Sequence, residues 1–195
     1  MTRPYSYNPM PVVLDITCPQ CRKPARFEHA EARPIARRDN VGHFRKSQDF
    51  DVVKAKDASG GIANCAIYWH GLNRQDAATR PGLPEGEKQD GWQHPRGYTP
   101  RLDHGVASCT ACGLRRKHAL AWPKDALYQA DYRGHVLWAY NREHAGELLD
   151  YIRSTTRNRH DYTFQASLMK VPSVFLSAKA REAVAKKLEL LLKSA

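Results

Sequence analysis

The chain has no apolar run approaching the roughly 20 residues that a bilayer-spanning helix needs, so no membrane role is expected. Acidic residues are scarce as well. Asp and Glu total 20 against 31 Lys and Arg in 195 residues, for a net charge of +11. That imbalance disfavours cationic partners and favours polyanions, through steering and counterion release. Cysteine is sparse, at five. An odd number leaves one thiol without a disulfide mate, and no signal-like segment precedes them, so the expected compartment is reducing and cytoplasmic. Repeats and low-complexity tracts are missing too. What remains is one domain of moderate size, or a compact domain with an appendage.

Four of the five cysteines form two Cys-x-x-Cys pairs, Cys18-Pro19-Gln20-Cys21 and Cys109-Thr110-Ala111-Cys112. Each pair sets two thiolates on one tight turn, and two such turns facing each other make a closed tetrahedral Cys₄ cage. The flanks agree. Cys18 follows the strand-like run Val12, Val13, Leu14 and Ile16, and Gly113 after Cys112 frees the turn to take φ > 0. A redox dithiol needs only one pair and usually opens a helix. Here both pairs lead into basic, strand-compatible sequence, which points to a metal. Cys18, Cys21, Cys109 and Cys112 are therefore the expected ligands and Zn²⁺ the expected ion.

These knuckles, spanning residues 16–23 and 107–118, resemble the zinc-ribbon class found in transcription factors, RNA polymerase subunits and ribosomal proteins. The resemblance covers the knuckles and their immediate flanks. It implies a β-hairpin metal site of the kind used to contact nucleic acid or a nucleoprotein machine. The spacing departs from a usual ribbon, because 87 residues separate Cys21 from Cys109. The metal would clip shut a very long loop, where a cross-link gains most in chain entropy.

Strands are expected first and helices last. An extended arm precedes the first knuckle, and residues 25–30 read as the second strand of a hairpin. Arg33, Arg37 and Arg38 read as a basic loop around Pro34. Residues 49–56 and 62–70 form two strands turned at Ser59-Gly60-Gly61. Cys65, Ile67 and Trp69 share a face there, which makes Cys65 a core thiol. Residues 72–105 carry no period and form a long loop whose aromatics, Trp92 and Tyr98, with His94, are expected to pack on the body.

After the second knuckle, alternation from Leu114 to Trp122 predicts a strand. A hairpin over 126–132 and 135–140 then turns at Arg133-Gly134. Asn141 caps a helix running to Arg153, and a last helix begins near Ser177 with Ala180, Val184, Leu188, Leu191 and Leu192 on one stripe. The fold class is thus α+β: a β-rich, zinc-clipped domain over 1–140 followed by a helical segment over 141–195.

A Zn²⁺ held by four thiolates carries a formal charge of −2, and nearby cations offset it. Arg22, Lys23, Arg115, Arg116 and Lys117 flank the knuckles in greater number than that requires. With Arg153, Arg157 and Arg159 they form the expected phosphate-contacting set. The reading is a non-catalytic protein that engages DNA or RNA, as a subunit of a larger nucleoprotein complex. A protein–protein adaptor or assembly factor is the alternative. A metal-dependent nuclease of HNH-like type is a second, invited by Asp103-His104 just before Cys109. The family's middle asparagine is missing, since none lies between Asn73 and Asn141, and a closed Cys₄ site offers no open metal position. No catalytic residue is assigned.

Overall fold

A computed structural model of the chain describes residues 10–56, 60–70, 72, 82–93 and 103–194. The expected N-terminal arm up to residue 9, together with His94 and Tyr98 of the long loop, lies outside the described residues. The architecture is α+β, and the chain divides into two compact units. The first gathers the residues before Phe27, Cys109–Cys112 and everything from Ala121. The second holds Phe27–Ser108 and Gly113–Leu120.

Strand β1 (Val13–Thr17) opens the first unit and runs into the first knuckle, after which β2 (Pro24–His29) begins beside it. Leu14 and Ile16 are fully buried, as period two requires. Strands β8 (Tyr128–Tyr132) and β9 (His135–Ala139) form an antiparallel hairpin. Both residues of its turn are left-handed, Arg133 at φ 51 and Gly134 at φ 76, the pattern of a type I′ turn that matches strand twist. Strand β1 is tied to this hairpin by backbone bonds, with Asp15 N–H donating to Tyr140 O and Asp15 O accepting from Leu127 N–H.

Helix α2 (Arg142–Arg153) starts at Asn141, whose Oδ1 accepts from His144 N–H at 2.9 Å. The Asp15 carboxylate also accepts from Arg142 N–H at 2.9 Å, placing negative charge at the positive end of the helix. Ala145, Leu148, Leu149 and Ile152 are buried against the hairpin core. A short helix α3 (Gln165–Leu168) follows, which periodicity does not announce. Its entry is set by Glu147, which accepts from the N–H groups of Thr163 and Phe164 at 2.8 Å each. Helix α4 (Ala178–Ser194) buries Ala180, Val184, Ala185 and Leu188, and Ser177 Oγ accepts from Ala180 N–H. Leu191 and Leu192 complete the expected stripe, partly buried.

The second unit contains a three-stranded antiparallel sheet in the order β3-β5-β4. Strands β4 (Phe50–Lys56) and β5 (Ile62–Tyr68) pair from Phe50 opposite Tyr68 to Lys56 opposite Ile62. Cys65, Ile67 and Trp69 lie in its core as period two predicts. The stretch around Pro34 differs from the expected loop. It begins as strand β3 (Glu31–Pro34), which pairs with β5, and continues through a 3-10 turn into helix α1 (Val41–Lys46). Pro34 ends a short outer strand, where a missing N–H is tolerated.

Strands β6 (His104–Ser108) and β7 (Arg115–Ala119) flank the second knuckle, and β6 lies beside β2. Strand β6 thus begins inside the stretch read as loop, and β7 stops before Trp122. A Cβ on Gly105 would sit 2.3 Å from Glu28 O and 2.4 Å from the Phe27 ring, so glycine lets the neighbouring strand's backbone and ring come in close.

Residues 82–93 are held side chain by side chain. Arg33 donates to the carbonyls of Lys88 and Asp90 and pairs with Glu87 at 3.2 Å, while Asn40 donates to Glu87. His43 Nε2 lies 2.6 Å from Gly82 O, and Gln93 bridges to Ala32. Trp92 stacks on Phe50 with ring centroids 5.7 Å apart. Arg33, read from sequence as part of a basic loop, is a clamp.

Candidate metal centre

The first knuckle is a backbone turn before it is anything else. Cys18 N–H donates to Lys23 O at 2.8 Å, and Arg22 N–H returns to Cys18 O at 3.0 Å. Closing that turn puts Arg22 at φ 64, a left-handed position. It also aims the N–H groups of Gln20 and Cys21 at Cys18 Sγ, 3.4 and 3.5 Å away. The second knuckle ends the same way, with Gly113 at φ 71.

Cys18 Sγ lies 3.8 Å from Cys112 Sγ, and Cys21 Sγ lies 3.7 Å from Cys109 Sγ. All four sulfurs fall within 4.8 Å of one another. A disulfide needs about 2.05 Å, so these are not bonded pairs. A metal at about 2.3 Å from each of four sulfurs implies tetrahedral edges of about 3.8 Å, and these two cross-knuckle distances match that value. Cys18 and Cys109 are buried while Cys21 and Cys112 are partly exposed, so the cage is sealed on one side and open to water on the other. Burial pushes the Cys18 thiol up, but the amides of Cys21 and Gln20 and the sulfurs of Cys21 and Cys109 outweigh it and leave the group at about 6. A thiol poised to ionise near neutrality is what a metal ligand needs. The four cysteines could therefore hold a metal ion.

Cys65 stays apart, in the core of the second unit with its thiol facing Ala63 O at 3.9 Å. Among the described residues no second group of three or more His, Cys, Asp or Glu side chains converges. His104 packs edge-on to Trp69, His118 lies against Phe27, and His70 Nε2 meets Glu31 at 2.8 Å.

The basic residues divide by what they already hold. Arg22 and Lys23 are exposed on the first knuckle, in the first unit. Arg115, Arg116 and Lys117 are exposed on β7, in the second. Lys117 pairs with both oxygens of Asp51 at 2.9 Å and lies over the Trp69 ring. Arg153 pairs with Glu189, and Arg157 donates to Leu176 O. The side chain of Arg159 lies outside the described residues. Sequence reasoning also missed that the first knuckle needs a left-handed residue, since arginine at position 22 gives no sign of it.

The sequence matches no family model, and the chain matches no curated protein and no solved structure. The functional reading therefore rests on the cage and its surroundings.

Proposed function

We propose that the protein is a zinc-stapled, non-catalytic module that engages nucleic acid through basic residues beside a Cys₄ centre, as part of a larger nucleoprotein assembly. The observation that carries this reading is the sulfur cage. Four thiols from two knuckles, at tetrahedral spacing, fill every position of a four-coordinate ion and leave none for substrate. The role of the ion is then structural, to join the two knuckles across the residues between them. Zinc is favoured over iron because a d¹⁰ ion is redox-inert and accepts a cage shaped by the backbone.

The nucleic-acid part is supported by charge. The chain carries +11 overall, and Arg22, Lys23 and Arg116 stand exposed beside the knuckles in sequence. Phosphate contacts of this kind position a partner without reading its bases, so form selectivity is expected and sequence selectivity is not. Lys117, Arg153 and Arg157 already have partners within the protein and contribute less.

The test is elemental analysis of the purified chain with a salt titration against single- and double-stranded DNA and RNA. One zinc per chain and binding that persists near physiological salt support the reading. A red, iron-loaded protein or a metal-free folded chain overturns the zinc assignment. Loss of all binding at modest salt overturns the nucleic-acid role in favour of a protein partner.

A further inference from the structure

Three residues other than glycine take a left-handed backbone among the described residues, and all three are arginines: Arg22, Arg133 and Arg157. Arginine has no local reason to be there. In that region the Cβ of an L residue crowds the following carbonyl, and the residues that tolerate it are Gly, Asn and Asp. Strain of this kind persists where something else requires the side chain.

For Arg157 the structure supplies that reason. Its guanidinium donates to Leu176 O, and its Nε is buried, so it ties the segment after α2 to the approach to α4. Arg22 and Arg133 have no such tie. Both are exposed, both belong to the first unit, and neither meets a carboxylate among the described residues. Arg133 stands at the tip of the β8–β9 hairpin, where Asn-Gly would suit the type I′ turn better than Arg-Gly. Among the described residues its side-chain partner is the Tyr132 ring, 5.4 Å from the guanidinium, which stiffens the side chain and leaves its donors facing water. His135 is exposed on the other side of the same turn.

We infer that the β8–β9 hairpin tip is a second nucleic-acid contact, in which Arg133 binds a backbone phosphate, and that Arg22 does the same at the first knuckle. The inference rests on the nucleic-acid reading above and adds a contact that the sequence analysis did not assign. It separates the cations that bind phosphate from those that hold the fold. Guanidinium suits the task because its fork of donors meets two phosphate oxygens at once.

The experiment uses the full chain, zinc-loaded, and replaces each arginine with the residue its backbone prefers: Arg22→Gly and Arg133→Asn. Each substitution relieves the turn as it removes the charge, so the melting temperature separates a lost contact from a damaged fold. Affinity for a labelled single-stranded oligonucleotide, RNA and DNA in parallel, is read across a salt titration. The expected result is a fall in the log–log salt slope of about one per variant, uniform over sequences, with an unchanged or higher melting temperature. Arg133→Lys should keep the slope. If wild type binds and both variants keep its slope and affinity, the inference is wrong and the nucleic-acid reading stands. A variant that loses affinity together with melting temperature and zinc marks a structural role and also overturns it. Absence of binding by wild type overturns both.

Discussion

Arg22 and Gly113 occupy the same left-handed backbone position, at φ 64 and φ 71, one residue past the second cysteine of each pair. The knuckle, not the residue, sets that conformation, because the turn must close before the amides can face the sulfurs. Gly113→Ala should therefore destabilise the protein by about 1 kcal/mol through backbone strain. No neighbour lies within 4 Å of the added Cβ, so packing contributes nothing to that cost. Arg22→Gly should change stability in the other direction, by about 0.5 kcal/mol, because relief of strain exceeds the added freedom of the unfolded chain. Urea unfolding of the two variants decides it, and equal signs would show that the knuckles differ.

Ligand cysteines and the core cysteine should behave differently. Structural zinc contributes about 10 kcal/mol or more to folding, comparable with the whole stability of a typical domain. Cys18→Ser and Cys109→Ser should release the ion and unfold much of the first unit, read by elemental analysis and circular dichroism. Cys65→Ala should keep full metal content. A Cys65 variant that loses zinc would place that thiol in the cage.

Gly105→Ala tests the close approach of β2 to β6. Its Cβ would lie within 2.4 Å of both a backbone oxygen and an aromatic ring, so something rigid must move, at a cost of about 3 kcal/mol. Thermal melting measures the loss. Paired Gly105→Ala and Phe27→Leu should recover part of it, whereas no recovery would put the whole conflict on the Glu28 carbonyl.

Acid should weaken the first unit through His144. Burial holds this imidazole at about 4, below its ordinary 6.5. It stacks on Phe164 at 4.5 Å and accepts from Tyr140 N–H through Nδ1. Lys170 lines the same cavity and offers no counter-charge. Between those two pH values the unfolded chain takes a proton that the folded chain refuses. Stability is complete above about pH 6.5 and falls as pH drops through about 4, by roughly 3 kcal/mol in all. Denaturation midpoints of wild type and His144→Gln should therefore converge from pH 7 to pH 4. Parallel curves would remove His144 as the cause.

Much of this architecture is legible in the sequence where it is local. The Arg133-Gly134 turn, the Asn141 cap and the α4 stripe each follow from residues within a few positions of one another. The Cys₄ set was legible because Cys-x-x-Cys needs no context. Among the elements missed, β3 and α3 are held from a distance. Nothing near Gln165 announces a helix, since the carboxylate that sets its entry belongs to Glu147. Arg33 was read as part of a basic loop, and only the fold brings Glu87 to it. Lys117 was read without its partner for the same reason, because Asp51 lies 66 positions away.

The order in which the ribosome delivers the four cysteines has its own consequence. Cys109 follows Cys21 by 88 positions, and at roughly 5–20 residues per second it arrives about 4–18 s later. Through that interval the nascent chain presents Cys18 and Cys21 as a bare two-sulfur half-site, while Phe27–Ser108 is completed before any cage can close. Those residues must therefore reach a compact state without the staple, or wait exposed for it. On the proposed zinc reading, metal supply during synthesis then bears on how much of the protein reaches its native form.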